Sequence, residues 1–387
     1  MRGDAYMEYP DEAVAFLDRK SCSNLYSLIK TVNNSQCSLV LGAGVSASVG
    51  LPTWDKLLKR ICYTFFTHWV FEVCNEKNGC TYDSPPKNIS VTFTQSYDLY
   101  EFEKQMGRTV DSLDYSKVVE VYSGGIKWST KEVQEALNRM NEEEHLKKTL
   151  QDDFMTKIME RDPTLIAQMI KNRIRKVDWD YLVRKSLYNS YEDMPYKLEK
   201  SFLYDSIISF ISNAKISKII NYNYDDTLYH SLREVGQFFK NIYQGTSTFG
   251  KYSIFYPHGY IPMKGGVNTE IVLTEQDYQN QGMQMNLWSN NIQISTYCST
   301  NCIFVGLSLS DANLRRILNM CRDSSQSLHY AFLARSGDDP TSRMIDSLFD
   351  EDLYRLGIKV IRYPLTNNEN PHELLPKLLD FISDNMK

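Results

Sequence analysis

The chain has 387 residues, 42% of them hydrophobic and 24% charged, with a formal net charge of −5. That length exceeds the ~100–200 residues of one ordinary domain and is enough to bury a sizeable core. The small negative charge provides no global field for nucleic acid or an anionic membrane, which argues against direct nucleic-acid binding. The segment Met1–Glu12 is acidic and lacks the basic-then-apolar order of a secretory signal. No apolar run approaches the ~20 residues that span a bilayer, so a cytoplasmic chain without membrane contact is expected. The eight cysteines, Cys22, Cys37, Cys62, Cys74, Cys80, Cys298, Cys302 and Cys321, form no CxxC pair. Neither a disulfide framework nor a zinc ribbon fits that spacing, and reduced, mostly buried thiols are expected.

In chain order, a helical segment over Leu25–Asn33 leads into a short apolar strand, Cys37–Leu41, and a glycine turn. Trp54–Phe66 has helical spacing, with Leu57, Leu58 and Ile61 on one face, and Asn75–Asn88 is a loop. A long stretch from Tyr97 to Asn213 is dominated by helical spacing and charge. From Ile216 onward, strands alternate with helices. The strands are Lys218–Asn221, Ser253–Tyr256, Ile271–Leu273, Cys302–Val305, His329–Leu333 and Lys359–Arg362. The helices are Asp225–Val235, Tyr278–Tyr297, Asp311–Arg322 and Thr341–Leu353. Short apolar strands interleaved with helices predict an α/β fold with a mostly parallel sheet covered on both faces. Residues 1–64 and 214–387 would form that domain, with 65–213 a large, mainly helical insertion.

Four strand ends carry chemistry. Gly42-Ala43-Gly44-Val45-Ser46 follows the first strand, where glycines permit a tight turn and close approach to a diphosphate. Amides of the turn and the following helix start would favour phosphate, although a purely structural turn is the competing reading. The third glycine of a dinucleotide fingerprint is replaced by Ala47, and no strand ending in an acid follows about 20 residues on, which argues against hydride transfer. Asn221-Tyr222-Asn223-Tyr224-Asp225-Asp226 follows the second strand, at the sheet edge where ligands bind; either aspartate also suits a helix N-cap. Pro257-His258-Gly259 presents a candidate base, against the alternative of a structural histidine. Gly306-Leu307-Ser308-Leu309-Ser310-Asp311 is a further strand-to-helix turn. Gly306 and Ser308 are placed to face a ribose or phosphate, and Ser310 or Asp311 to cap the helix.

Taken in this order, the four segments resemble the sirtuin-like family. GAGVSASVGLPTW is similar to its GAGxSxxSGIPxF nucleotide loop, with Trp54 at the aromatic position and Thr53 beside it. NYNYD resembles the family's asparagine–aspartate motif, YPHG its catalytic histidine segment, and GLS its GTS-type loop. IVLTEQDY (Ile271–Tyr278) looks like a segment of the prokaryotic, defence-associated branch. The resemblance covers residues 37–61 and 215–365 and implies a Rossmann-type NAD-binding domain. It implies Asn223, His258 and Asp225 as catalytic residues, and Gly42, Ala43, Gly44, Val45, Ser46, Thr53, Trp54, Gly306 and Ser308 as NAD contacts. Asn223 would hold ribose hydroxyls or the attacking water, Asp225 would contact nicotinamide or orient Asn223, and His258 would act as base.

Protein deacylases of this family carry a cysteine-ligated zinc module between the histidine and the GTS loop. Here that interval holds only Cys298 and Cys302, too few for the site, so no metal is expected. The large insertion is also foreign to deacylases. The resemblance therefore implies NAD+ hydrolysis to nicotinamide and ADP-ribose, with NAD+ as substrate, in a bacterial antiphage (abortive infection) role. A homo-oligomer and a HerA-type ATPase partner are implied by the family alone. The alternatives are an NAD-dependent deacylase or ADP-ribosyltransferase, and a non-catalytic nucleotide-sensing module. The cluster Lys171, Arg173, Arg175, Lys176, Arg184 and Lys185 is read as a solvated face rather than a nucleic-acid surface.

Overall fold

The computed structural model describes residues 12–62, 64–65, 89–93, 118–123, 126–128, 156–158, 160–188, 199–246, 250–267, 269–284, 286–322, 327–368 and 370–386. The chain divides into two compact units, one of Met1–Arg60 with Pro163–Lys387 and one of Ile61–Asp162. In chain order the strands are β1 (Cys37–Leu41), β2 (Ile89–Phe93), β3 (Val118–Ser123), β4 (Ile126–Trp128), β5 (Lys218–Asn221), β6 (Lys240–Ile242), β7 (Ser253–Phe255), β8 (Asn301–Val305), β9 (His329–Ala334) and β10 (Ile358–Tyr363). In the smaller unit β2, β3 and β4 pair as an antiparallel sheet, inside the stretch that the sequence presents as mainly helical. The loop read over Asn75–Asn88 lies outside the described residues.

The larger unit is built on one sheet in the order β10-β9-β8-β1-β5-β7-β6, parallel throughout. Its helices are α1 (Glu12–Ala15), α2 (Arg19–Asn34), α3 (Ala43–Ala47), α4 (over 54–62), α5 (Pro163–Lys171), α6 (Lys176–Tyr188), α7 (Phe202–Asn213), α8 (Thr227–Glu234), α9 (Glu275–Met283), α10 (Trp288–Ser299), α11 (Ala312–Arg322), α12 (Pro340–Arg355) and α13 (Leu374–Asp384). Because strand side chains alternate between faces, the apolar strands feed two cores. Leu39, Leu41, Ile303, Val305, Phe332 and Ile361 pack with α2, α7 and α13. Val40, Cys302, Phe304, Ala331 and Val360 pack with α10 and α11 on the opposite face. This is the Rossmann-like α/β arrangement expected from the strand–helix alternation.

Several elements differ from the sequence reading. Ile271–Leu273 is extended but joins no ladder; the Val272 amide instead donates to the His258 carbonyl at 2.8 Å. The helix expected over Tyr278–Tyr297 is two, α9 and α10. The Asn290 side-chain amide donates to the Gln281 and Gln284 carbonyls at 2.8 and 2.9 Å, closing the break between them. The edge strand β6 is three residues long, too short to show a period. Helix starts follow local capping: the Asp18 carboxylate accepts from Ser21 N, Thr274 and Asp277 form a capping box on α9, and Asp339 caps α12 ahead of Pro340.

The chain runs outward from β1 through β5, then crosses back to β8 on the other side of β1. The sheet therefore reverses direction between β1 and β8, the place where open α/β sheets bind ligands at their carboxyl ends. There the turns after the two strands meet backbone to backbone. Gly42 N donates to Val305 O at 3.1 Å and Gly44 N to Gly306 O at 3.0 Å. A Cβ on Gly42 would lie 2.5 Å from Leu307, and one on Gly306 would lie 2.7 Å from Val45 N, with φ at +71°. Gly306→Ala combines that clash with a left-handed backbone worth roughly 1–2 kcal/mol. It should lower the thermal midpoint and reduce amide exchange protection at Gly44; an unchanged midpoint would contradict this contact.

Farther along the rim, Arg362 of β10 is buried and bonds Asp346 at 3.0 Å and Asp350 at 2.8 Å, while donating to Ala334 O at 2.7 Å. Removing the cation leaves the Asp350 carboxylate without its ion pair and Asp346 held only by the Ser336 amide and hydroxyl. Arg362→Met should therefore cost about 3–5 kcal/mol, measured by denaturant unfolding.

Candidate functional site

Strand register brings the predicted segments to one rim. Leu41 pairs with Val305 on one side and Asn221 on the other, and Ile220 pairs with Phe255. The turns after β1, β5, β7 and β8 thus emerge level with one another.

The β5 turn is tied to the β1 turn through side chains. Asn223, buried, donates from Nδ2 to Gly42 O at 2.9 Å, and its own amide donates to Asn221 Oδ1 at 3.2 Å. Asp225 is 1% exposed. Ser46 Oγ donates to its Oδ2 at 2.7 Å, while the Thr227 amide (3.1 Å) and hydroxyl donate to Oδ1. Burial pushes the Asp225 carboxyl up, and the hydrogen bonds from Thr227 and Ser46 oppose that shift. With both oxygens engaged, this carboxylate joins the two turns and caps the start of α8. Asp226 holds the opposite side of the motif, accepting from Tyr188 Oη at 3.3 Å and Met263 N at 3.1 Å and pairing with His230 at 3.1 Å.

His258, on the β7 turn, is 7% exposed and caged by aromatic rings. The Tyr222 and Tyr278 rings meet the imidazole edge-on, with centroids at 4.9 and 5.7 Å. The turn is fixed by Val272 N to His258 O and by Gln281 Nε2 to Pro257 O at 3.1 Å. Gly259, at φ +105°, has no space for a side chain, since a Cβ would sit 2.5 Å from Glu270 O. Desolvation holds the His258 pKa below the usual histidine value, opposed by the nearby Asp311 carboxylate. Neither ring nitrogen has a hydrogen-bond partner among the described residues. Asn223 and His258 are connected through Tyr222, whose hydroxyl bonds Gln293 and, at 2.8 Å, Tyr297.

On the β8 turn, Ser308 and Ser310 hydroxyls bond each other at 2.7 Å, and Asp311 Oδ1 accepts from Leu314 N at 2.6 Å, so Asp311 is the cap of α11. Leu309 between them has φ +58° with its side chain in the core, a sparsely populated backbone for a bulky residue. A cavity of about 450 Å³ opens beside this turn, bordered by Gly44, Gly306, Ser308, Phe349 and Arg362. That volume lies within the range of small-molecule clefts, ~300–1,000 Å³.

The other predicted contacts are placed as follows. Val45 is buried in the core and offers the site only its backbone, whereas Ala43 is half-buried and Gly44 exposed. Thr53 leads α4 through its carbonyl, bonded to Leu57 N at 2.8 Å, and the buried Trp54 Nε1 has no hydrogen-bond partner among the described residues. Because the Gly42 and Gly44 amides already donate to the β8 turn, these glycines serve close approach of two backbones before any phosphate contact. Sequence reading did not identify Tyr222, Tyr278, Gln293 or Arg362 as site neighbours. Alternating tyrosines in NYNYD were the one available signal.

Cys37, Cys302 and Cys321 are buried, with the Cys37 and Cys321 thiols each pushed up to about 12 by burial; Cys74 and Cys80 lie outside the described residues. Among the described residues, no group of three or more His, Cys, Asp or Glu is arranged to hold a metal ion, and no helix is long and apolar enough to cross a membrane. In the basic cluster, Lys171 pairs with Asp277, Arg175 with Asp178, and Arg184 donates to the Met263 and Gly265 carbonyls.

No curated protein sequence matches the chain. Residues 217–353 match the family model of the SIR2-like domain, so the region from β5 through most of α12, with the Asn223, His258 and Gly306 turns, is similar to that domain, whose family uses NAD.

Proposed function

We propose that the protein is an NAD+ glycohydrolase that releases nicotinamide and ADP-ribose. The observation that carries this reading is a buried asparagine tied to the glycine turn, next in sequence to the tyrosine whose ring meets a caged histidine; the ring nitrogens of that histidine have no hydrogen-bond partner among the described residues. The cavity bordered by Gly44, Gly306 and Ser308 has the volume of a small-molecule cleft, on the β9–β10 side of the glycine turns and not bordered by Asn223 or His258.

NAD+ supplies its own leaving group, because breaking the nicotinamide–ribose bond turns a cationic pyridinium into the neutral pyridine ring of nicotinamide. The bonding pair stays with nicotinamide, the oxygen of water bonds C1′, and water gives up one proton. His258 takes that proton, or one from a ribose hydroxyl; a neutral imidazole at physiological pH suits this task. Asn223 is fixed at Gly42, leaving its carboxamide oxygen to hold a ribose hydroxyl or the water. Asp225, saturated by Ser46 and Thr227, positions Asn223 through the turn rather than meeting the substrate. The two cysteines available between His258 and Gly306 favour hydrolysis over zinc-supported deacylation. Use of this activity to deplete NAD+ in antiphage defence, with a homo-oligomer or a HerA-type ATPase restraining it, follows from the family resemblance alone.

Purified protein given NAD+ without any peptide should release nicotinamide continuously. Turnover only with an acylated peptide would instead indicate a deacylase, and binding without release a sensor. His258→Ala and Asn223→Ala should each abolish nicotinamide release, by at least the ~10²-fold typical of a lost general base, while the circular dichroism spectrum stays unchanged. Near-normal turnover in either folded variant would falsify the assignment.

A buried histidine that serves as base also fixes a pH dependence. Because the His258 pKa is depressed, activity should persist below the pH at which an ordinary histidine protonates, and fall only when the imidazole itself becomes charged. The pH profile of kcat/KM for NAD+ checks this: an acid limb above the usual histidine range would be the wrong outcome.

A further inference from the structure

Asp225, Asp226 and Asp277, three buried or half-buried acids around the candidate site, are committed to protein partners. Asp225 is saturated by Ser46 and Thr227, Asp226 by Tyr188, His230 and Met263, and Asp277 by Lys171 and its own capping box. Asp311 spends only Oδ1, on the Leu314 amide at 2.6 Å; its Oδ2 has no hydrogen-bond or ion-pair partner among the described residues.

The turn carrying Asp311 is anchored next to the histidine cage. Two residues on, Asn313 donates to the Tyr278 carbonyl at 3.1 Å, and Arg316 donates to Gln281 O at 3.1 Å. Tyr278 is one of the rings on His258, and Gln281 holds the Pro257 carbonyl of the same turn. Leu309, at φ +58°, is held in an unfavourable backbone by its buried side chain just before Asp311, a distortion that the core maintains. The Tyr222 ring from the β5 turn and the Tyr278 ring from α9 meet His258, and both stay neutral because burial raises their pKa values; Asp311 heads the helix whose Asn313 holds the Tyr278 carbonyl, and its carboxylate acts on His258 electrostatically. Asp311 is thus the charged group in that set, and its field also reaches Tyr222, Tyr224 and Tyr278.

We propose that Asp311 is a positioning residue for the reaction, the counter-charge that lets the caged His258 imidazole accept a proton. This rests on the hydrolytic reading above. An imidazolium inside a cage of neutral rings is penalised by desolvation, and a fixed carboxylate from the neighbouring strand turn offsets that penalty as the charge forms. The proton taken from water or a ribose hydroxyl stays on His258 and leaves to solvent after release of product, so Asp311 itself exchanges nothing.

Asp311→Asn keeps the cap, since asparagine accepts the Leu314 amide as well as aspartate does, and removes only the charge. Its kcat for nicotinamide release should fall about tenfold or more, a share of the ~10²–10⁴-fold that a general base contributes, with KM for NAD+ little changed. Losing a negative neighbour lowers the histidine pKa, so the acid limb of the pH–rate profile should move to lower pH in the variant. The same shift should appear without turnover, by NMR titration of labelled histidines with the His258 signal assigned from its loss in His258→Gln. A parental protein that releases no nicotinamide, but whose His258 pKa still drops in Asp311→Asn, would overturn the hydrolytic reading and keep the pairing. An unmoved His258 titration in a folded Asp311→Asn protein would overturn the pairing itself. Asp311→Ser, a second capping residue without charge, should reproduce the shift; if only one variant moves it, the charge is not the cause.

Discussion

Two glycine turns lie against each other at the centre of the sheet, and the geometry of the rim depends on that contact. Gly44 donates to the Gly306 carbonyl, and Gly42 to the last carbonyl of β8. No side chain fits between them: a Cβ at Gly42 would collide with Leu307, and one at Gly306 with the Val45 amide. The close approach sets the height of the β1 turn relative to its neighbours. Asn223 then bonds the Gly42 carbonyl and Asp225 bonds Ser46, so the β5 turn takes its position from the same contact. The glycines here supply proximity more than donors, since their amides are occupied by the partner turn.

Around that frame the protein tolerates a good deal of buried polarity. Asp225, Asn223, His258 and the Tyr222–Gln293–Tyr297 chain all sit at or near full burial. Each such group costs free energy unless it is bonded, and most of them are. His258 departs from this pattern: its backbone is pinned and its ring is caged, yet its nitrogens have no hydrogen-bond partner among the described residues. A site that orients a titratable group without satisfying it is arranged for a ligand or a reacting proton. The strained Leu309 on the adjoining turn points the same way, because a distortion of that kind persists only where surrounding packing enforces it.

Much of this was legible in the sequence because strand ends announce themselves. CSLVL before GAG, KIIN before YNYD, and CIFV before GLS each pair an apolar run with small or polar residues, and all three became adjacent strands. The fold class followed from the alternation alone. What escaped was long-range or short. β6 has three residues and no visible period, and α9 and α10 were merged because the break at 284–287 contains neither glycine nor proline. Ile271–Leu273 has strand composition, but the His258 turn claims its backbone. The ring cage around His258 draws Tyr222 and Tyr278 from segments about 55 positions apart, and the Arg362 pair with Asp346 and Asp350 joins β10 to α12; no local pattern encodes such meetings. Asp311 read as a helix cap and is one, accepting from the Leu314 amide.

Hydrolysis as proposed requires Asn223 and His258 to converge on one sugar carbon beside the glycine turns. A crystal structure of the protein with ADP-ribose tests this most directly. The nicotinamide-side ribose should lie within hydrogen-bond reach of both the Asn223 carboxamide and the His258 imidazole, with the diphosphate near Gly44 and Gly306. A ribose bound out of reach of either side chain, or a ligand seated away from the β1–β8 crevice, would contradict it.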